Sequence, residues 1–234
     1  MKHVHFFACL AAASLFASSA LAADRVVVIP MGGRDVAPPA SYPAPVAKTG
    51  QTTSYAPGDD GDLEKGVALP QPRFTDNGDG TVTDNRSGLI WLKKANCIQT
   101  DYPTFDNDST AGDGRVTWQH ALDFVNGINA GTYNCGDTSN NGLQQTDWRL
   151  ANMVELPSLF HLSYFNPMLS NVAGAAKWSE GDPFTGVATA NFYWTSTTTP
   201  AIDTMAFTVD FWVGDITAKG KTSAYFVWPV RGGE

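Results

Sequence analysis

The sequence predicts an α+β fold, with short strands at both ends of one folded module and helices between them. Two observations carry this. Asn77-Gly78 and Asp79-Gly80 sit between short β-prone segments, and glycine supplies the positive φ angles that tight hairpins need. From Thr117 the apolar period changes, and Trp118, Ala121, Leu122, Val125 and Ile128 fall on one helical stripe.

The first 22 residues have the parts of a cleavable secretory signal. Lys2 supplies a cationic start, a carboxylate-free apolar run extends to Leu21, and Ala20-Leu21-Ala22 is a small-x-small site. Cleavage is expected before Ala23, which places the product in the periplasm or outside the cell. The alternative is a retained anchor, since the run approaches the length that spans a bilayer. No later segment is long and apolar enough to cross, so no membrane span is expected after cleavage. The formal net charge is −8, and Lys and Arg are scattered along the chain. Nucleic acid and anionic lipid are therefore poor partners, because both demand clustered counter-charge.

Residues 23–72 are rich in Pro, Gly, Ala, Ser and Thr, with few large apolar residues after Val26-Val27-Val28-Ile29. Such a stretch buries too little surface to offset its ordering entropy and is expected to be a disordered, flexible linker. The module occupies 73–234. It opens with Phe74-Thr75-Asp76, a turn, and Thr81-Val82-Thr83-Asp84; a second turn leads into the strand Leu89–Leu92. Ile98–Arg115 reads as a polar loop, followed by the helix that Thr117 caps. Gly127 and Gly131 weaken its far end. Asn134–Gln145 is a second polar loop. A second helix is expected from Asn152, where Glu155 completes a capping box, although Pro157 threatens to shorten it. Strands follow at Asn191–Thr197, Thr204–Val213, Ile216–Lys219 and Ser223–Arg231.

Loss of the signal removes Cys9 and leaves Cys97 and Cys135. Two cysteines in an oxidising compartment most simply form one disulfide. A catalytic or metal-bound thiol would need companions, and neither His120 nor His161 stands at ligand spacing from a cysteine. Both histidines are expected at the surface or at helix ends. The Asp76–Gly80 run has glycine where calcium ligands belong, so a hairpin accounts for it better. Asp106, Asp108 and Asp113 form a more credible oxygen cluster and are the candidate calcium ligands; the plain alternative is a solvated acidic loop. No cofactor is otherwise expected. No nucleophile motif or phosphate loop is present, so no catalytic residue is assigned, and an enzyme would have to converge groups such as Asp147, Arg149 or Asp210. Tyr193, Trp194 and Trp212 are the candidate ligand-binding aromatics, against the ordinary fate of core packing.

Four blocks add up to a resemblance. Phe74–Trp91, Thr117–Leu122, Asp147–Asn152 leading to Glu155-Leu156, and Tyr193–Thr197 together resemble the Lcl C-terminal domain family, over about residues 73–232. Ala151 replaces a usual proline, and a cysteine sometimes found near the end is missing. The resemblance implies a C-type lectin-like scaffold, also similar to formylglycine-generating enzymes, with two helices on a twisted antiparallel sheet. It also agrees with a Cys97–Cys135 pair. The calcium-dependent sugar motifs of true C-type lectins and the functional cysteines of the generating enzymes are absent. Fold does not carry function with it. The expectation is a non-catalytic binding or adhesion module whose partner is an extracellular or envelope ligand such as a polysaccharide. The alternatives are an extracytoplasmic enzyme on this scaffold and a structural or assembly role.

Overall fold

A computed structural model describes residues 46–105, 108 and 110–232. The expected signal and the first half of the expected linker lie outside these residues. The described chain is α+β, built on two antiparallel sheets and few helices.

Residues 46–72, assigned to a flexible linker by composition, run along the module in a defined path. Ala47 and Val67 form a parallel bridge, and a one-turn helix, α1, spans Asp60–Leu63. The Leu162 N–H donates to the Thr49 carbonyl at 2.9 Å, and the Ser163 hydroxyl donates to the Gly50 carbonyl. This order comes from backbone hydrogen bonds more than from apolar burial, which is why composition does not reveal it.

The first hairpin forms as the turn chemistry predicts. Strands β1 (Phe74–Asp76) and β2 (Thr81–Asp84) pair antiparallel, with Asp76 opposite Val82. The carboxylates of the intervening run accept from their own turn: Asp76 from the Gly78 N–H, Asp79 from the Thr81 N–H and hydroxyl. Gly80 has φ +86°, and a Cβ there would lie 1.8 Å from the Gly136 carbonyl oxygen, so only glycine lets the loop past it. Asp84 closes the next turn by accepting from the Arg86 N–H and the Ser87 hydroxyl. It also pairs with Arg73, and neither side chain is exposed.

Strand β3 (Ile90–Leu92) follows, then α2 (Cys97–Asp101) at the start of the expected loop. Helix α3 (Trp118–Asn129) has the predicted cap, with the Thr117 hydroxyl accepting from the His120 N–H. Strand β4 is only Arg149–Leu150. The capping box after it is also as predicted: Asn152 Oδ1 accepts from the Val154 and Glu155 N–H groups, and Glu155 Oε2 accepts from the Asn152 N–H. The helix it opens is cut to a single 3₁₀ turn, Leu156–Leu159, which contains Pro157. The two-helix expectation is therefore corrected to one long helix among the described residues.

Strands β5 (Phe192–Thr198), β6 (Met205–Asp210) and β7 (Ile216–Gly220) make a three-stranded sheet. The last predicted strand shrinks to β8 (Pro229–Arg231), because Tyr225 and Phe226 bridge to Val116 and Tyr193 instead of extending it. The larger sheet has the order β1-β2-β3-β8-β4, so the final strand inserts between β3 and β4.

Two apolar clusters fill the module. One gathers Phe74, Trp91, Phe184, Tyr193, Phe211 and Trp228; the other packs α3 against Leu92, Trp148, Leu150 and Trp194. Three of the four buried indoles keep polar partners, and Trp91 Nε1 has none among the described residues. Trp228 donates to the Leu92 carbonyl, Trp194 to that of Val116, and Trp148 to Asp137.

Candidate functional site

Helix α3 presents Gln119, Leu122 and Asn126 on one stripe, since these positions stand three and four residues apart. Beside that stripe run β4 and the capping-box residue Asn152. Ser196 of β5 is drawn in by its N–H, which donates to the Ala151 carbonyl at 2.8 Å. Together these bound an open groove of about 650 Å³. Val125 and Leu150, both almost wholly buried, form its apolar floor, and Trp148 also lines it.

The groove is close to neutral. Arg149 lines it, but its guanidinium forks onto Glu155 at 2.5 and 2.7 Å and donates to the Gly232 carbonyl at 2.8 Å. Gln119 donates to Asp123 at 3.0 Å. Asn152 has its Oδ1 committed to the cap, while the Asn126 amide and the Ser196 hydroxyl make no hydrogen bond among the described residues. The surface thus offers amides and a hydroxyl above hydrocarbon, which suits a ligand with polar edges and no net charge.

The residues singled out in the sequence are distributed differently. Tyr193 and Trp194 are fully buried and present no surface to a ligand. The Tyr193 hydroxyl accepts from the Ala188 N–H, and burial pushes that phenol far above its ordinary pKa. Trp212 is 43 % exposed at the β6–β7 turn, beside Phe165 and away from the groove residues. Asp108 accepts from the Thr117 N–H and lies 2.6 Å from His120 Nδ1, whereas Asp113 pairs with Arg115. Asp106 lies outside the described residues, among which no group of three His, Cys, Asp or Glu side chains could hold a metal. Cys97 and Cys135 are joined in a disulfide.

Asp147, Arg149 and Asp210 are likewise apart in role. Asp147 is 3.8 Å from Arg231, Arg149 is held by Glu155, and Asp210 accepts from the Trp212 N–H. His161 corrects the surface expectation, being 6 % exposed beneath Gly50 and stacked on Tyr164. Burial, and secondarily the Arg73 charge, holds its imidazole below the ordinary pKa.

Sequence reasoning misses Gln119 and Asn126, because a polar position on a helix carries no mark of what it will face. Ser196 lies in the same segment as the candidate aromatics Tyr193 and Trp194, but it is the serine and not the rings that lines the groove. Three of the four sequence blocks meet there, contributing Gln119 and Leu122, then Trp148, Arg149, Leu150 and Asn152, and then Ser196. The model of the Lcl C-terminal domain matches residues 80–231. The chain belongs to the Lcl C-terminal domain family. The match runs from β2 to β8 and begins inside the first hairpin, after β1. No curated protein matches the chain.

Proposed function

We propose that this family member is an exported, non-catalytic binding module on a C-type lectin-like scaffold, and that its groove takes a neutral polysaccharide. The groove's chemistry is the observation that carries the reading. Gln119 and Asn126 stand seven residues apart on α3, about 10 Å along the axis, a spacing suited to successive sugars of an extended chain. An amide offers donor and acceptor together, which matches neighbouring sugar hydroxyls, and the Val125–Leu150 floor suits the apolar faces of the rings. Neutralisation of Arg149 by Glu155 disfavours an anionic ligand.

Export is supported by the signal-like residues 1–22 and by the Cys97–Cys135 disulfide, which persists in oxidising compartments. No helix among the described residues is long and apolar enough to cross a membrane.

A glycan array probed with the chain, with and without calcium, tests the reading. Binding to uncharged polysaccharides is expected, reduced about tenfold by Asn126→Ala and by Ser196→Ala, each removing a hydrogen bond of about 1 kcal/mol or more. No binding to any polysaccharide or envelope polymer would overturn it.

A further inference from the structure

On the other flank of α3 lies a smaller pocket of about 310 Å³, lined by Tyr102, Thr104, Phe105, His120 and Tyr133. We infer that it is a second ligand site that takes a single uncharged sugar ring, stacked on aromatic carbon and hydrogen-bonded to His120. The inference deepens the glycan reading, but its residues are separate from those of the groove.

The aromatic wall is built, not incidental. Tyr133 stacks on Phe124 at 4.9 Å with an interplanar angle of 21°, and Tyr102 and Phe105 meet Tyr133 edge-on at 4.8 and 5.4 Å. Tyr133 reaches this place because residue 127 of α3 is glycine; a Cβ there would lie 2.4 Å from its ring. The Tyr102 hydroxyl both donates to the Asn134 carbonyl at 3.0 Å and accepts from the Asn134 N–H at 2.6 Å. The Cys97–Cys135 disulfide ties the same two segments together. Both walls are therefore fixed before a ligand arrives, which reduces the ordering entropy that binding must overcome.

The polar rim is equally constrained. Asp108 Oδ1 lies 2.6 Å from His120 Nδ1, and Asp108 is itself held by the Thr117 N–H. That contact lies at the Nδ1 edge of the ring, and Nε2 makes no hydrogen bond among the described residues. It can accept from a sugar hydroxyl, and Thr104 adds a hydroxyl to the lining.

The ring geometry favours a sugar over a flat aromatic ligand. Tyr102 and Phe105 stand at 64° and 75° to Tyr133, so these rings form no parallel slot to sandwich a plane. One face of Tyr133 is already taken by Phe124. A puckered ring needs one aromatic face and polar groups at its edge, and the pocket supplies both.

The test is an amide NMR titration of the disulfide-bonded protein with glucose, galactose, mannose and N-acetylglucosamine, with phenol and indole as flat controls. At least one sugar should shift the resonances of Tyr102, Phe105, His120 and Tyr133. His120→Ala and Tyr133→Ala should each weaken it at least tenfold, while Asn126→Ala leaves it unchanged. Near-ultraviolet circular dichroism checks that each variant is folded, and His120→Gln, which keeps an acceptor, should recover part of the affinity. Shifts confined to the Gln119–Asn126 groove, no shift with any sugar, or a response to phenol and indole alone would overturn the inference. Pocket shifts without array binding would instead retain this site and remove the polysaccharide reading of the groove.

Discussion

Arg73 and Asp84 are fully buried against each other, with Arg73 also donating to the Ser158 carbonyl at 2.9 Å and lying 4.4 Å above the Phe74 ring. Removing one partner strands a charge away from water. Asp84→Ala is expected to cost about 3–5 kcal/mol, read as a lowered denaturant midpoint; an unchanged midpoint would mean that water reaches Arg73. Gly127 makes a prediction opposite to helix propensity. Alanine is the better helix former by about 1 kcal/mol, but its Cβ would drive into the Tyr133 ring. Gly127→Ala should therefore destabilise by about 1–3 kcal/mol in a thermal melt, as overpacking does. The sequence shows the glycine and its propensity cost, but not the tyrosine that returns across it from the next loop. Tyr193 and Trp194 illustrate the same limit. Adjacent strand residues point to opposite faces, yet both are buried, because one joins each apolar cluster on either side of β5.

Local signals specified the elements well where neighbours in sequence decide the outcome. The hairpin glycines, the Thr117 cap and the Asn152–Glu155 box all form as their spacing implies. The elements that differed depend on distant partners or on proline: Pro157 limits its helix to one turn, and Thr49 and Gly50 are held by a loop more than a hundred positions away. That segment covers His161, whose packed form favours the neutral imidazole. Because the packed pKa lies below the ordinary value, this stabilisation is complete above about pH 6.5 and is lost as pH falls through the packed value. Wild type should lose more melting temperature than His161→Phe between neutral pH and about pH 5.5, and equal losses would exclude the histidine as the cause. The disulfide acts at this scale too, closing a 38-residue separation. Cys97→Ser with Cys135→Ser should cost about 3–4 kcal/mol, or roughly 10 °C in melting temperature; an unaffected melt would mean that the unfolded chain is already compact.

At the scale of the molecule, strand order was the least legible feature. Nothing local tells Pro229–Arg231 to insert between β3 and β4, and that insertion brings the module's final residues beside Arg149. The groove depends on this closure, since the Gly232 carbonyl helps to hold Arg149 while α3, β4 and β5 supply the walls. The family blocks were legible in sequence, but their convergence was not, because it is made by packing between segments far apart in the chain, such as Trp118 and Thr195, 77 residues apart. Neutrality of the groove is the central physical claim, and the salt dependence of binding tests it most directly. Affinity for the strongest array ligand should stay constant within about twofold from low salt to about 0.5 M, as expected when no ion pair forms across the interface, and Asn126→Ala should lower it at every salt concentration. A steep loss of affinity with salt, unaffected by that substitution, would contradict the account and point to a charged ligand bound elsewhere.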